Sequence, residues 1–211
     1  MDKQALILSV LEEMFPNAKA ELDYTNHYEL LVAVILSAQT TDIQVNKVTP
    51  SLFENYPSVI ELSKANQEDV ERLINSIGLY KNKAKNIIKM ANQVVENFNS
   101  EIPSKREDLE SLAGVGRKTA NVVLSNLFDT PAIAVDTHVH RVSIRLGLAK
   151  KTDDVYKTEM KLYKIFPKER WTKLHHQLIF FGRYHCTSRS PKCKTCKLYD
   201  ICKYENKTRK V

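Results

Sequence analysis

Apolar residues recur every three or four positions along almost all of this 211-residue chain, and almost nowhere do they alternate. That spacing is the period of an α-helix; a half-buried strand would alternate with period two. Glycine occurs only five times, and two of the five stand together in Gly114-Val115-Gly116. The chain is therefore expected to be all-α, with most helix ends set by short polar caps and by proline.

On that rule a first helix spans about residues 3–15 and stops at Pro16. A second, over about residues 28–38, holds the apolar run Leu30–Leu36 and reads as buried on most sides. Seven residues cannot cross a bilayer, and no membrane association is expected. Thr41 or Asp42 caps a third helix, and Pro50 inside its pattern predicts a kink or break. Asn66 caps a helix carrying Val70, Leu73, Ile74 and Ile77 and ended by Gly78; the next runs over about residues 82–98. Ser104-Lys105-Arg106-Glu107 has the form of a capping box and predicts a helix to about Leu112. Further helices are expected over residues 117–128, from a cap at Asp136 to Gly147, from a cap at Asp153 to Phe166, and over about residues 169–182. Beyond residue 182 the chain is short, basic and loop-like.

The net charge is +7, and its distribution is uneven. Residues 183–211 hold nine Lys/Arg against two Asp/Glu, whereas the first 182 residues hold 23 of each sign. Localised positive charge suits a polyanion such as nucleic acid; a solvated basic tail is the plain alternative. The N-terminus has no basic stretch followed by an apolar segment and a small-residue cleavage site, so a cytoplasmic location is expected.

All four cysteines fall within the spacing Cys186-x6-Cys193-x2-Cys196-x5-Cys202. In a reducing compartment, thiols so close together are a metal site more often than two disulfides. Zinc and an iron–sulfur cluster are both chemically open. Zinc sites more often show two short Cys-x-x-Cys pairs, so the single pair here leans toward a cluster.

Leu112-Ala113-Gly114-Val115-Gly116-Arg117-Lys118-Thr119-Ala120 reads as a tight turn between two helices. Its glycines permit positive φ and close backbone approach, and the free N–H groups of the following helix can receive an anion. Val115 can pin the turn to a core. Gly-x-Gly alone would fit a plain αα-corner; with Arg117 and Lys118 beside it, contact with a phosphate backbone is the better reading. Such contacts carry no base information, so selectivity has to come from elsewhere, such as a pocket for an extruded base. Lys118 stands in the first turn of the second helix, where a cation opposes the helix dipole, and a neutral amine is nucleophilic. Asp136 follows Ile133-Ala134-Val135 and opens an amphipathic helix, which makes it an N-cap that can also face a reacting centre.

The segment from Leu112 through Val123, with Val135-Asp136-Thr137-His138 and the cysteine spacing, resembles the endonuclease III family over nearly the whole chain. That resemblance implies an all-α fold of two helical domains with a cleft between them. One domain covers residues 22–132 and contains a helix-hairpin-helix motif at about residues 105–128; the other joins residues 1–21 to residues 133–211. It implies a monomeric base excision repair enzyme acting on double-stranded DNA that carries damaged bases or abasic sites. Lys118 would attack C1′, displace an oxidised pyrimidine and cut the strand by β-elimination through a Schiff base. Asp136 would activate the amine or stabilise charge on the sugar. Gln39 and Leu79 match positions that fill the space of the flipped base, and His138 matches a residue beside the pocket. One 4Fe–4S cluster on Cys186, Cys193, Cys196 and Cys202 would fix loop 186–202 so that Arg189, Lys192 and Lys194 meet phosphate. Lys203 to Lys210 would be simply solvated. Two rivals remain: a glycosylase on the same scaffold without lyase activity, which would lack the lysine at 118, and a non-enzymatic DNA-binding module with a zinc knob.

Overall fold

A computed structural model describes residues 2–208; Met1 and residues 209–211 lie outside it. Among the described residues the regular elements are all helical, as expected. None of those helices is long and apolar enough to cross a membrane. The chain divides into two compact units: Glu21–Thr130, and Met1–Ala20 with Pro131–Val211.

The Glu21–Thr130 unit is built around α2 (His27–Leu36), in which Tyr28 and every residue from Leu30 to Leu36 are buried. A helix apolar on all sides needs neighbours on all sides. They are α3 (Asp42–Asn55), α6 (Tyr80–Asn97) and α8 (Arg117–Leu127), with α4 (Val59–Ser63), α5 (Gln67–Ile74) and α7 (Arg106–Glu110) outside them. Each fully buried Leu or Ile, such as Leu31, Leu52 or Ile87, stabilises the unit by roughly 1.5–3 kcal/mol. Asn26 caps α2 by accepting from the Glu29 N–H at 3.0 Å, while Glu29 reaches back to the Thr25 N–H at 2.6 Å.

In the other unit α1 (Lys3–Met14), α9 (Thr137–Arg145), α10 (Val155–Ile165) and α11 (Trp171–Phe180) enclose a second core. Ile7, Leu11, Val139, Val142, Leu174 and Phe181 are buried in it. Glu12 of α1 fastens to α11: it accepts from Arg170 at 3.0 Å and Gln177 at 3.1 Å, and pairs with Lys173.

Several expectations are corrected. Helix α3 runs unbroken through Pro50. Val45, Val48, Thr49 and Leu52 are buried along one face of α3 and Pro50 is exposed, so packing outweighs the lost backbone bond. The capping box at Ser104 does not form; Lys105 is the N-cap of α7, with no side-chain cap bond. Arg106 donates instead to Asn121 of α8, and α7 starts one residue later than a cap at Ser104 would set. Asp154, not Asp153, caps α10 by accepting from the Lys157 N–H at 2.7 Å. Asp153 receives the Lys150 N–H at 2.6 Å and pairs with Lys161. The short α4 was not expected; Ser58 caps it by accepting from the Ile60 N–H. The last long helix does not reach Gly182 as regular α-helix: α11 widens at Phe181 into a π-helical turn, Phe181–His185.

Candidate functional site

In the Glu21–Thr130 unit the hairpin between α7 and α8 is held from beneath. Leu112 and Val115 are buried, and the Val115 N–H donates to the Leu112 carbonyl at 3.1 Å. Gln93 of α6 clamps the turn with both ends of its amide. It donates to the Ser111 carbonyl at 3.1 Å and accepts from the Ala113 N–H at 2.7 Å. Sequence reasoning missed Gln93, because a polar residue in a helical pattern reads as solvated until the turn is placed against it.

Gly114 and Gly116 differ. Gly114 has φ +78, and a Cβ there would lie 3.1 Å from Ile35 Cγ2 and 3.2 Å from Asn86 Cβ. Gly116 is the N-cap of α8 at φ −103, and a Cβ on it would meet nothing within 4 Å. The space beside the α8 N-terminus is therefore open. Lys118 is exposed in the first turn of α8, and no described residue holds its ammonium. Arg117 is half-buried beside it. Gln39 and Leu79 are both exposed, and both are left-handed, at φ 55 and φ 60.

In the other unit Asp136 is the N-cap of α9: its Oδ1 accepts from the Val139 N–H at 2.8 Å. The second oxygen has no partner among the described residues. His138, the second residue of α9, stands against the π-helical turn. A Cβ on Gly182 would come within 2.9 Å of His138 Cβ, which makes that close approach dependent on glycine. Arg141 Nη2 lies 3.2 Å from His138 Nδ1 and donates to the Gly182 carbonyl at 2.8 Å. Burial pushes the His138 imidazole down, and the Arg141 and Arg183 cations add to that against the pull of Asp136. A neutral ring is the form this setting favours.

The π-helical turn delivers Cys186, whose N–H donates to the Phe181 carbonyl at 2.6 Å. All four cysteines then line one recess with an empty volume of about 350 Å³, counting its solvent-open part. Leu146, Phe181 and Pro191 supply apolar wall. The thiols surround this space; among the described residues no three His, Cys, Asp or Glu side chains converge as a single ion requires. Burial pushes the Cys186 and Cys196 thiols up, and Arg145 opposes the shift at Cys186. Arg145 is buried and donates to Cys186 Sγ at 3.3 Å, the Thr187 carbonyl at 2.7 Å and the Ser188 carbonyl at 3.0 Å. Sequence reasoning missed Arg141 and Arg145. Their spacing of four on one helix was visible, but nothing in it said that the face is buried.

Arg189, Lys192 and Lys194 are exposed on the loop between the cysteines. The basic tail is not simply solvated. Lys207 donates to the Tyr199 and Cys202 carbonyls, each at 3.0 Å, and lies over the Tyr199 ring at 4.4 Å. Arg209 and Lys210, which belong to that expectation, lie outside the described residues.

Comparison with known proteins gives concordant results. A family profile described as HhH-GPD superfamily base excision DNA repair protein matches residues 32–168. Endonuclease III of Bacillus subtilis is 50% identical over 196 residues, covering 93% of this chain and 90% of that protein. Endonuclease III of a Synechocystis species is 46% identical over 197 residues, covering 93% of this chain and 90% of that protein. A solved structure of a trapped endonuclease III–DNA covalent intermediate, an estranged-adenine complex, matches with TM-score 0.92 and 50% identity over 96% of each chain.

Proposed function

The chain belongs to the HhH-GPD superfamily of base excision DNA repair proteins, and from that premise we propose how its residues carry out the reaction. It is a DNA glycosylase with abasic-site lyase activity, acting on double-stranded DNA. Its substrates are damaged bases of the oxidised-pyrimidine class. The observation that carries the reading is the likeness, over 96% of the chain, to a protein trapped covalently on DNA. A covalent intermediate needs a nucleophile, and Lys118 offers an exposed amine directly after the Gly114-Val115-Gly116 turn.

The first N–H groups of a helix have no intrahelical partner, so the α8 N-terminus with Arg117 takes a backbone phosphate. The open side of Gly116 lets that phosphate approach. The damaged nucleotide is extruded, and Gln39 and Leu79 occupy the vacated stack. His138 lines the pocket as a neutral ring. The Lys118 amine forms a bond to C1′ while the bond from C1′ to the base breaks, and the base leaves with the electron pair and takes a proton. Opening of the sugar ring gives the imine. Loss of a C2′ proton then expels the 3′ phosphate. The Asp136 carboxylate, with one oxygen on the α9 cap, uses the other to take the amine proton or to offset positive charge on the sugar.

Cys186, Cys193, Cys196 and Cys202 would hold a 4Fe–4S cluster. Four thiols around one recess suit a cubane, with one thiolate per iron, and their spacing holds only one short Cys-x-x-Cys pair. When bound, the cluster supplies bracing, because no iron keeps a position open to substrate. Arg145 ties the first ligand and the two carbonyls after it to α9.

Borohydride tests the covalent step, because it reduces an imine to a stable amine. Wild-type protein should be trapped on duplexes holding an abasic site or an oxidised pyrimidine. Lys118→Gln should abolish trapping and strand cutting while binding DNA nearly as well as wild type. Trapping that survives in Lys118→Gln would assign the chemistry to another amine. Base loss with no adduct in the wild type would mean that the lyase step is absent.

A further inference from the structure

Two residues of the Glu21–Thr130 unit hold a backbone conformation that their side chains rarely adopt. Gln39 has φ 55 and Leu79 has φ 60. Among the described residues, the other non-glycine residues with positive φ are Asn99, Ser100 and Asp129, short polar types that turns accept. A glutamine and a leucine have no such local reason. Both are exposed, Leu79 to 56%, so burial of their side chains does not hold them either. Strain of this kind persists only where the surroundings over-determine it.

Lys83 reaches both turns. Its backbone N–H donates to the Leu79 carbonyl at 3.0 Å, in the first turn of α6. Its ammonium donates to Thr40 Oγ1 at 2.6 Å, on the residue that follows Gln39. The lysine is buried, 4% exposed, and burial pushes its pKa down. An ammonium is costly to bury without partners, and a methionine would fill similar volume at no such cost. Packing therefore does not explain a lysine here; the bond to Thr40 does. Thr40 is itself fixed, since its N–H donates to the Ser37 carbonyl at 3.1 Å and Thr41 caps α3.

We propose that Lys83 is a positioning residue. Through Thr40 it locks the turn after α2 to the first turn of α6, so that Gln39 and Leu79 enter the duplex as one wedge at a fixed spacing. The proposal rests on the reading that these two residues replace the extruded base. Lys83 touches no DNA and acts through them.

The test uses the whole protein and a duplex carrying one oxidised pyrimidine next to 2-aminopurine, whose fluorescence rises when stacking is lost. Lys83→Met removes the donor, and Thr40→Val removes the acceptor with little change of shape. Both should slow the fluorescence rise and single-turnover base release by about tenfold or more, as a wedge set out of register would. The unfolding midpoint should hold in Lys83→Met and fall in Thr40→Val, which leaves the buried ammonium unpartnered. Affinity for undamaged duplex should stay within about twofold in both, because phosphate contacts are untouched. Two results overturn the proposal. One is normal extrusion in both variants while Gln39→Ala and Leu79→Ala each slow it. The other is a parallel loss of midpoint, undamaged-duplex affinity and extrusion in both variants, which marks a merely structural lysine. If Gln39→Ala and Leu79→Ala themselves leave extrusion unchanged, the wedge reading has failed and takes the role of Lys83 with it.

Discussion

The two hairpin glycines show how differently one residue type can act within three positions. At Gly114 the need is internal. Any L side chain there would take φ +78 and press its Cβ against Ile35 and Asn86. Left-handed backbone alone costs an L residue roughly 1–2 kcal/mol. Gly114→Ala should therefore destabilise the protein by about 1–3 kcal/mol, read as a lower unfolding midpoint. At Gly116 the need lies outside the free protein. Its extended backbone suits any residue, and a Cβ would meet nothing. Gly116→Ala should leave the midpoint within about 0.5 kcal/mol of wild type and weaken duplex binding, because the added methyl stands where the phosphate backbone must come close. Equal binding by Gly116→Ala and wild type would remove that contact from the mechanism. The sequence alone could not separate the two glycines, since the difference lies in Ile35 and Asn86, far away along the chain.

Among the helices, legibility followed the range of the forces involved. Caps at Thr41, Asn66 and Asp136 could be read because a short polar side chain serves an N–H two or three residues on. Several of the failures were settled by tertiary contacts. Pro50 is carried through α3 by the buried face of that helix, Arg106 is pulled toward Asn121, and α11 opens into a π-helical turn where Gly182 lets His138 come close. Lys83 and Arg145 were invisible for the same reason, since their partners are set by packing. The α1–α11 contact offers a test at this scale. Glu12 sits among Lys173, Gln177 and Arg170, and their hydrogen bonds hold its carboxyl at about 2, below the ordinary 4.5. A carboxyl lowered in the folded state stabilises it fully above the unfolded value, and that contribution is lost as pH falls toward the folded value. Glu12→Gln should therefore lower the unfolding midpoint near neutral pH, and the gap to wild type should close between about pH 4.5 and pH 2. Its side chain is 40% exposed, so salt should shrink the gap as well. A gap that stays constant with pH would place the effect in packing.

Taken over the whole molecule, the excess charge is more selective than the composition suggests. The net charge is +7, and residues 183–211 carry that excess. Two lysines of the segment are engaged within the fold: Lys197 pairs with Glu13, and Lys207 holds the Tyr199 and Cys202 carbonyls. Arg189, Lys192 and Lys194 stay exposed on the loop that the cysteines shape. These three are the candidates for contact with a polyanion. Each cation that neutralises a phosphate releases condensed counterions, so the logarithm of affinity falls with the logarithm of salt by roughly 0.9 per contact. Lys192→Gln and Lys194→Gln should each flatten that slope by about one. They should weaken binding to damaged and undamaged duplexes alike, because phosphate carries no base information. Iron and labile sulfide near four each per chain, in wild type and both variants, would show that the loop is equally loaded throughout. A salt slope unchanged in both variants would return these lysines to bulk solvent and shift the duplex contact to Arg117 and the α8 N-terminus. A slope flattened only on damaged DNA would mean that the loop senses the lesion, which exposed lysines facing phosphate have no means to do.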